Sequence, residues 1–322
     1  MTQRDTLAGI SVVVPTCKRP DYLKIALQSV CEQTVQPTEI IICEDGVDAL
    51  TRSVIEEYKN MGLPIHHESN DPPLLQLGNR QKAMKLAACE FVAMLDDDDL
   101  WEPTFLEKTC AALLAHPNCA FCSTDQYLVN EFGEKLYEET EAASEAFGRK
   151  TMTTGIVTDV LFRELTTKPF PLQATLFRKS ALENVGFFPA YSRTVPDFAL
   201  VTALGAIGSQ AYYISERLGG YRVHTGQQTN SRVENGESVV TFLRRLSGET
   251  KFLVRDDKAL GDLYRKSILE LAIAYAHEAS WANVAQALFR YFDLGLGLPQ
   301  WQRLMVLGAL FIGFRPRPKR HV

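Results

Sequence analysis

Asp96-Asp97-Asp98-Asp99 is the stretch best placed to do chemistry: four consecutive carboxylates that follow directly on the apolar run Phe91-Val92-Ala93-Met94-Leu95. Adjacent negative charges repel, and the arrangement costs least when water hydrates it fully or a divalent cation neutralises it. Carboxylate oxygens suit hard ions such as magnesium or manganese. A solvated acidic turn ahead of the helix that Pro103 starts explains the same residues without an ion, and the stretch alone leaves both readings open. Two further polar sequences complement it. Pro15-Thr16-Cys17-Lys18-Arg19 offers a hydroxyl and a cation, and Glu44-Asp45-Gly46 offers an acceptor. Arg19 can neutralise phosphate, Asp45 can accept from a base N–H or a ribose hydroxyl, and a cation held by aspartate can bridge two phosphates. Together these suit a nucleotide diphosphate. No G-x-x-x-x-G-K-[ST] or G-x-G-x-x-G segment is present, which weighs against an NTPase and against a dinucleotide dehydrogenase.

Each of these polar sequences ends an apolar run. Residues 10–14, 40–43 and 64–68 read as short strands, as does the run before the aspartates. They alternate with helices that start at Pro20, cover 51–59 and cover about 76–88. Strands alternating with helices of this length predict a parallel, doubly wound α/β sheet. In such a sheet the strand ends lie on one edge, where open α/β sheets bind their ligands. Farther on, residues 119–129 read as a strand, and residues 131–145 as an acidic, mobile surface segment able to close over a bound ligand. Residues 175–186 read as a strand, an N-cap at Ser180 and a short helix stopped by Gly186. Asp197, ahead of Phe198-Ala199-Leu200, is a good helix N-cap by type.

The chain of 322 residues accommodates one large α/β domain with an appendage, or two domains. Its 46% hydrophobic and 23% charged residues are those of an ordinary soluble domain, and a net charge of −5 argues against nucleic acid as a partner. The seven cysteines are an odd number, and no secretory signal precedes them, so the expectation is a reducing, cytoplasmic setting without a disulfide framework. Cys119 and Cys122 have C-x-x-C spacing, but no second pair completes a zinc site, and they read as buried thiols. From about residue 236 the sequence is helical. It ends in the apolar run Leu304 to Phe314, too short to span a bilayer, followed by Arg315-Pro316-Arg317-Pro318-Lys319-Arg320. That pairing suits peripheral attachment to an anionic leaflet, or else packing on the domain or in a homodimer.

Taken jointly, Val12-Val13-Val14-Pro15-Thr16-Cys17-Lys18-Arg19-Pro20-Asp21-Tyr22-Leu23, Glu44-Asp45-Gly46 and Leu95-Asp96-Asp97-Asp98-Asp99-Leu100-Trp101 resemble the nucleotide-sugar-binding segments of the family 2 glycosyltransferases. The resemblance covers the first 230 residues or so. It implies a GT-A fold, a Rossmann-like, mostly parallel sheet flanked by helices over residues 1–235, with a helical C-terminal extension over 236–322. By the same resemblance Pro15, Thr16 and Asp45 frame the base and Arg19 faces the nucleotide. Asp96 to Asp98 stand for the D-x-D motif, with Asp98 the direct metal ligand and Asp96 or Asp97 nearer the ribose. The overlapping frame Asp97 to Asp99 is also available. Arg80, within Gly78-Asn79-Arg80-Gln81-Lys82, falls where the family has an arginine near the nucleotide. Asp197 stands where the family has Glu-Asp, with Pro196 replacing the glutamate, and is implied to be the general base. Arg222 and His224, in Gly219-Gly220-Tyr221-Arg222-Val223-His224, are implied to approach the diphosphate.

The activity so implied is inverting transfer of a sugar from a UDP or dTDP donor to a hydroxyl of a saccharide or lipid-linked saccharide. It depends on Mn2+ or Mg2+ and serves cell-surface polysaccharide or glycoconjugate synthesis. Two alternatives share the acidic stretch. One is a D-x-D phosphotransferase using Asp96 and Asp98, although Asp99-Leu100 departs from that pattern. The other is a non-catalytic module that binds a nucleotide sugar or a divalent ion.

Overall fold

The structure is a computed structural model that describes residues 7–189, 191–224, 232–249, 258–278, 280, 283–284 and 286–287. Strand β1 (Leu7–Thr16) sends Ile10, Val12 and Val14 into one apolar cluster and Val13 into another. A strand buried on both faces must be central. Helix α1 (Pro20–Cys31) starts with proline in its first turn and buries Leu23, Ala26, Leu27 and Val30. Strand β2 (Glu39–Asp45) repeats the two-faced burial with Ile40 and Ile42 against Ile41 and Cys43. Helix α2 (Ala49–Asn60) is capped by Asp48, whose carboxylate accepts from Thr51 N at 2.8 Å. Strand β3 (Ile65–Asn70), helix α3 (Leu75–Leu86) and strand β4 (Cys89–Met94) complete the first half. β1 pairs in parallel with both β2 and β4, and β2 with β3, which puts the polar ends of β1, β2 and β4 on one rim as expected.

The second half is mixed. It comprises β5 (Leu100–Trp101), α4 (Phe105–Ala115), β6 (Cys119–Val129), α5 (Tyr137–Ala146), a 3-10 turn at Arg149–Thr151, β7 (Gly155–Val157) and α6 (Val160–Thr166). Then follow β8 (Thr175–Arg178), α7 (Lys179–Val185), α8 (Pro196–Ala206), β9 (Gln210–Arg222), α9 (Arg232–Glu249) and α10 (Lys258–His277). The sheet runs β3-β2-β1-β4-β8-β6-β9-β5, with β7 paired to β9. β8 lies antiparallel between β4 and β6, while β9 runs parallel to β6 and antiparallel to β5 and β7.

Some local expectations change. The acidic segment 131–145 contains α5, whose Thr140 and Ser144 are buried, because a threonine and a serine one turn apart supply an inward stripe that charge content hides. Ser180 lies inside α7 rather than capping it, while Gly186 ends that helix at φ 74, as its type requires. Asp197 is likewise inside the first turn of α8, one residue after Pro196, and makes no cap bond. All seven cysteines are free thiols, with Cys119 and Cys122 buried.

The chain divides into two compact units, Met1–Tyr264 and Arg265–Val322. α9 belongs to the first, where Phe242 and Leu243 share a cluster with Leu165, Phe198 and Ala199. In the second unit the remainder of α10 carries buried Ile268, Leu271 and Ala272. The apolar run 304–314 and the basic tail lie outside the described residues. Among the described residues no helix is long and apolar enough to cross a membrane.

Two features mark the contact between α6 and α8, the helix that carries Asp197. Gly205 of α8 meets α6 so closely that a Cβ there would stand 2.7 Å from the backbone nitrogen of Leu161. Glu164 of α6 is buried, and its Oε2 has no hydrogen-bond partner. Burial holds this carboxyl well above its ordinary 4.5, with Lys168 opposing and the charge of Asp197 adding to the shift. A folded-state pKa above the unfolded one gives stability that is complete below about pH 4.5 and declines as pH rises, by about 1.4 kcal/mol per pH unit until the folded carboxyl ionises. Glu164→Gln removes that dependence. The variant should therefore melt progressively higher than the parent as pH is raised above about 5, with little difference at pH 4, in thermal unfolding followed by circular dichroism.

Candidate active site

The turn after β4 sorts its four aspartates by direction. Asp99 N donates to Asp96 O at 3.1 Å, a tight turn that brings the first and last carboxylates together. Asp97 points back to β1: its Oδ2 accepts from Thr16 Oγ1 at 2.7 Å and Cys17 N at 3.3 Å, and its Oδ1 meets Arg19 Nη1 at 3.3 Å. Burial, reinforced by the charge of Asp98, pushes the Asp97 carboxyl up to about 7, against the pull of Arg19. Asp98 faces outward, with Oδ2 2.7 Å from Arg19 Nη1 and 3.1 Å from His224 Nε2. Asp99 accepts from Arg222 N at 2.9 Å, tying the turn to the end of β9. Burial also raises the Asp96 and Asp99 carboxyls, Asp98 adding to both.

Arg80 joins this turn to Asp197. It projects from α3, is buried, and donates through Nη2 to Asp96 Oδ2 and through Nη1 to Asp197 Oδ1 at 3.3 Å. Burial disfavours its charge, but Asp96 and Asp197 more than offset this and raise its pKa. The Asp197 side chain is 47% exposed, so a solute can reach it. The position in the first turn of α8 also suits a carboxylate, since a helix N-terminus carries partial positive charge.

The residues expected to frame a base lie along the same rim. Pro15 and Thr16 pair in register with Cys43 and Glu44. Asp45 Oδ1 accepts from Leu74 N at 2.7 Å and from Asn70 Nδ2 at 3.2 Å. Asn70 also donates to Asn79 Oδ1 and accepts from Lys82 Nζ, while Asn79 donates to Cys43 O. Gly46 turns the chain at φ 87, a conformation glycine adopts freely, and donates to Asn70 O. Asn70, Asn79 and Lys82 were not expected here; the polar end of β3 and the polar face of α3 were their only signals. Arg222 is fully buried and serves the wall of the site. It donates through Nε to Asp98 O at 2.8 Å and through Nη1 to Asn130 O and Glu131 O, and it stacks on Tyr22.

A divalent cation fits this donor set. Ligand oxygens of Asp96, Asp98 and Asp99 lie within 4.8 Å of one another, and His224 Nε2 adds a nitrogen beside Asp98. Three carboxylates so close are most stable around a hard ion. His224, expected near the diphosphate, bonds Asp98.

TuaG of Bacillus subtilis (strain 168), named for teichuronic acid biosynthesis, is 27% identical over 220 residues, 66% of this chain and 79% of its own length. The Escherichia coli UDP-Glc:alpha-D-GlcNAc-diphosphoundecaprenol beta-1,3-glucosyltransferase WfgD is 26% identical over 121 residues, 38% of this chain and 47% of its own length. The solved mannosyltransferase PcManGT from Pyrobaculum calidifontis, in complex with GDP-Man and Mn2+, superposes with a TM-score of 0.60 at 17% identity, covering 96% of this chain and 82% of that one. This likeness shows the GT-A fold. A family model described as Glycosyl transferase family 2 matches residues 11–193, more than half of the chain, so the protein belongs to that family and is a glycosyltransferase.

Proposed function

We propose that this enzyme transfers a sugar, with inversion, from a UDP or dTDP donor to a hydroxyl of a saccharide or lipid-linked saccharide. The observation that carries the reading is the Arg80 bridge, which sets an ion-binding carboxylate cluster and a reachable carboxylate, Asp197, on either side of one buried guanidinium. Asp96, Asp98 and Asp99 would hold Mn2+ or Mg2+, with His224 beside Asp98, and the ion when bound supplies positive charge to the leaving diphosphate. Thr16 and Asp45 receive the base and ribose, and Arg19 faces the phosphates. Asp197 accepts the proton of the acceptor hydroxyl as that oxygen bonds to the anomeric carbon. The bond from that carbon to the phosphate oxygen breaks, and its electron pair leaves with the nucleoside diphosphate. One displacement on the opposite face inverts the anomeric configuration without a protein nucleophile.

The WfgD name pairs a UDP-sugar with a diphosphoundecaprenol acceptor. That supports a lipid-linked acceptor here and, with it, peripheral attachment at the cytoplasmic membrane face through the basic end of the chain. PcManGT was solved with a guanosine donor, so the base is set by experiment. Thermal-shift measurements with UDP, dTDP and GDP and their sugars, each with and without Mn2+, should give a metal-dependent stabilisation for one base. NMR of the product should then show the anomeric configuration opposite to the donor's. Retention of configuration would overturn the single displacement. Binding without turnover across a broad acceptor panel would leave a non-catalytic module.

A further inference from the structure

A cavity of about 850 Å³ lies among β6, β9, α5, the 3-10 turn at Arg149–Thr151 and residues 102–104, which follow β5. Its charged centre is Asp125, which accepts from Arg149 Nε at 2.7 Å, Arg217 Nε at 3.3 Å and Ser144 Oγ at 2.8 Å. One buried carboxylate is thus shared between two guanidinium groups. Arg217 finds a second acid in Glu141, which is exposed and solvent-screened.

Arg149 is the telling residue. Its side chain is only 2% exposed, yet among the described residues only Nε, one of its five N–H donors, has a protein acceptor. Its buried Nη2 has none. The hydroxyl of Tyr213, under the influence of the same Asp125, Arg149 and Arg217, is also buried and unpartnered. Unmade bonds of this kind cost stability, most of all at a charged group, and a fold keeps them where something else supplies the acceptors. A planar guanidinium with a free edge matches an oxyanion bidentately. Around it, the 73% exposed Tyr137 offers aromatic surface of the kind that packs on a sugar ring, and Lys150, paired with the exposed Glu145, stands at the rim.

We propose that this cavity is a second ligand site, in which Arg149 binds the anionic group of a saccharide, a carboxylate or a phosphate ester. That this saccharide belongs to the acceptor rests on the glycosyltransferase reading; the site itself does not. Saturation-transfer NMR on the full chain, with D-glucuronate, glucose 6-phosphate and D-glucose as probes, tests it. Both anions, or one of them, should receive saturation well above that of glucose, and the stronger of the two identifies the anion. Arg149→Gln should weaken that binding on the order of tenfold or more. Because Arg149 also anchors Asp125, the double variant Tyr137→Ala, Lys150→Ala, altered only at the rim, provides the same test with the core intact and should weaken binding severalfold. Equal signals from glucose and the anions, no signal from either anion, or signals unchanged in both variants would overturn the proposal. UDP binding with Mn2+, read in the same samples, separates the two readings: its absence counts against the donor site, and absence of anion binding alone counts against this cavity.

Discussion

Asp98→Ala should abolish metal-dependent nucleotide binding and lower kcat by about a thousandfold or more, the several kcal/mol that a cation on a leaving diphosphate supplies. The side chain lies between Arg19 and His224, two cations or potential cations that a bound ion would replace as partners. Asp97, by contrast, secures β1 through Thr16 and Cys17, and Asp99 secures β9 through Arg222 N. The measurement is the Mn2+-dependent rise in melting temperature on adding the preferred nucleoside diphosphate, together with transfer rates. A variant that keeps both the metal-dependent rise and full turnover would remove Asp98 from the ion site.

Asp197→Asn should leave nucleotide binding within about twofold of the parent and reduce kcat by 10²–10⁴-fold, the range a positioned general base contributes. Asparagine keeps an oxygen for Arg80 to donate to, so the local structure survives while the proton acceptor is lost. KM for the donor should change far less than kcat. Near-full activity in this variant would overturn the base assignment, and a parallel loss of donor affinity would recast Asp197 as a donor-binding residue.

Much of the first half was legible because its signals are local. Apolar runs of four or five residues, ended by Pro15-Thr16, Glu44-Asp45-Gly46 and the aspartates, are short enough to be strands and polar enough at their ends to mark the rim. The second half was less so. β5 is two residues long and exists only through its pairing with β9, which no window on the sequence reveals. The antiparallel insertion of β8 between β4 and β6 is a fact of topology, not of periodicity. The candidate site shows the same division. The types that gather could be named from the chain, but the direction of each aspartate depends on partners 81 to 126 residues away, such as Thr16, Arg222 and His224. Arg80 reads from the chain only as a helix arginine at a family position; the packing of α3 aims it between Asp96 and Asp197.

That bridge has a geometric consequence. The two nitrogens of a guanidinium are held by a flat, delocalised frame, so the gap between the turn after β4 and the start of α8 is spanned by a gauge of fixed width rather than by a loop. Lysine at this position could satisfy either acid but would not hold both at a defined spacing. Catalytic groups kept at a set separation need no adjustment when a substrate arrives, and misplacement by one ångström is costly. The alignment of the two halves of the rim is therefore written into one side chain, ahead of any ligand.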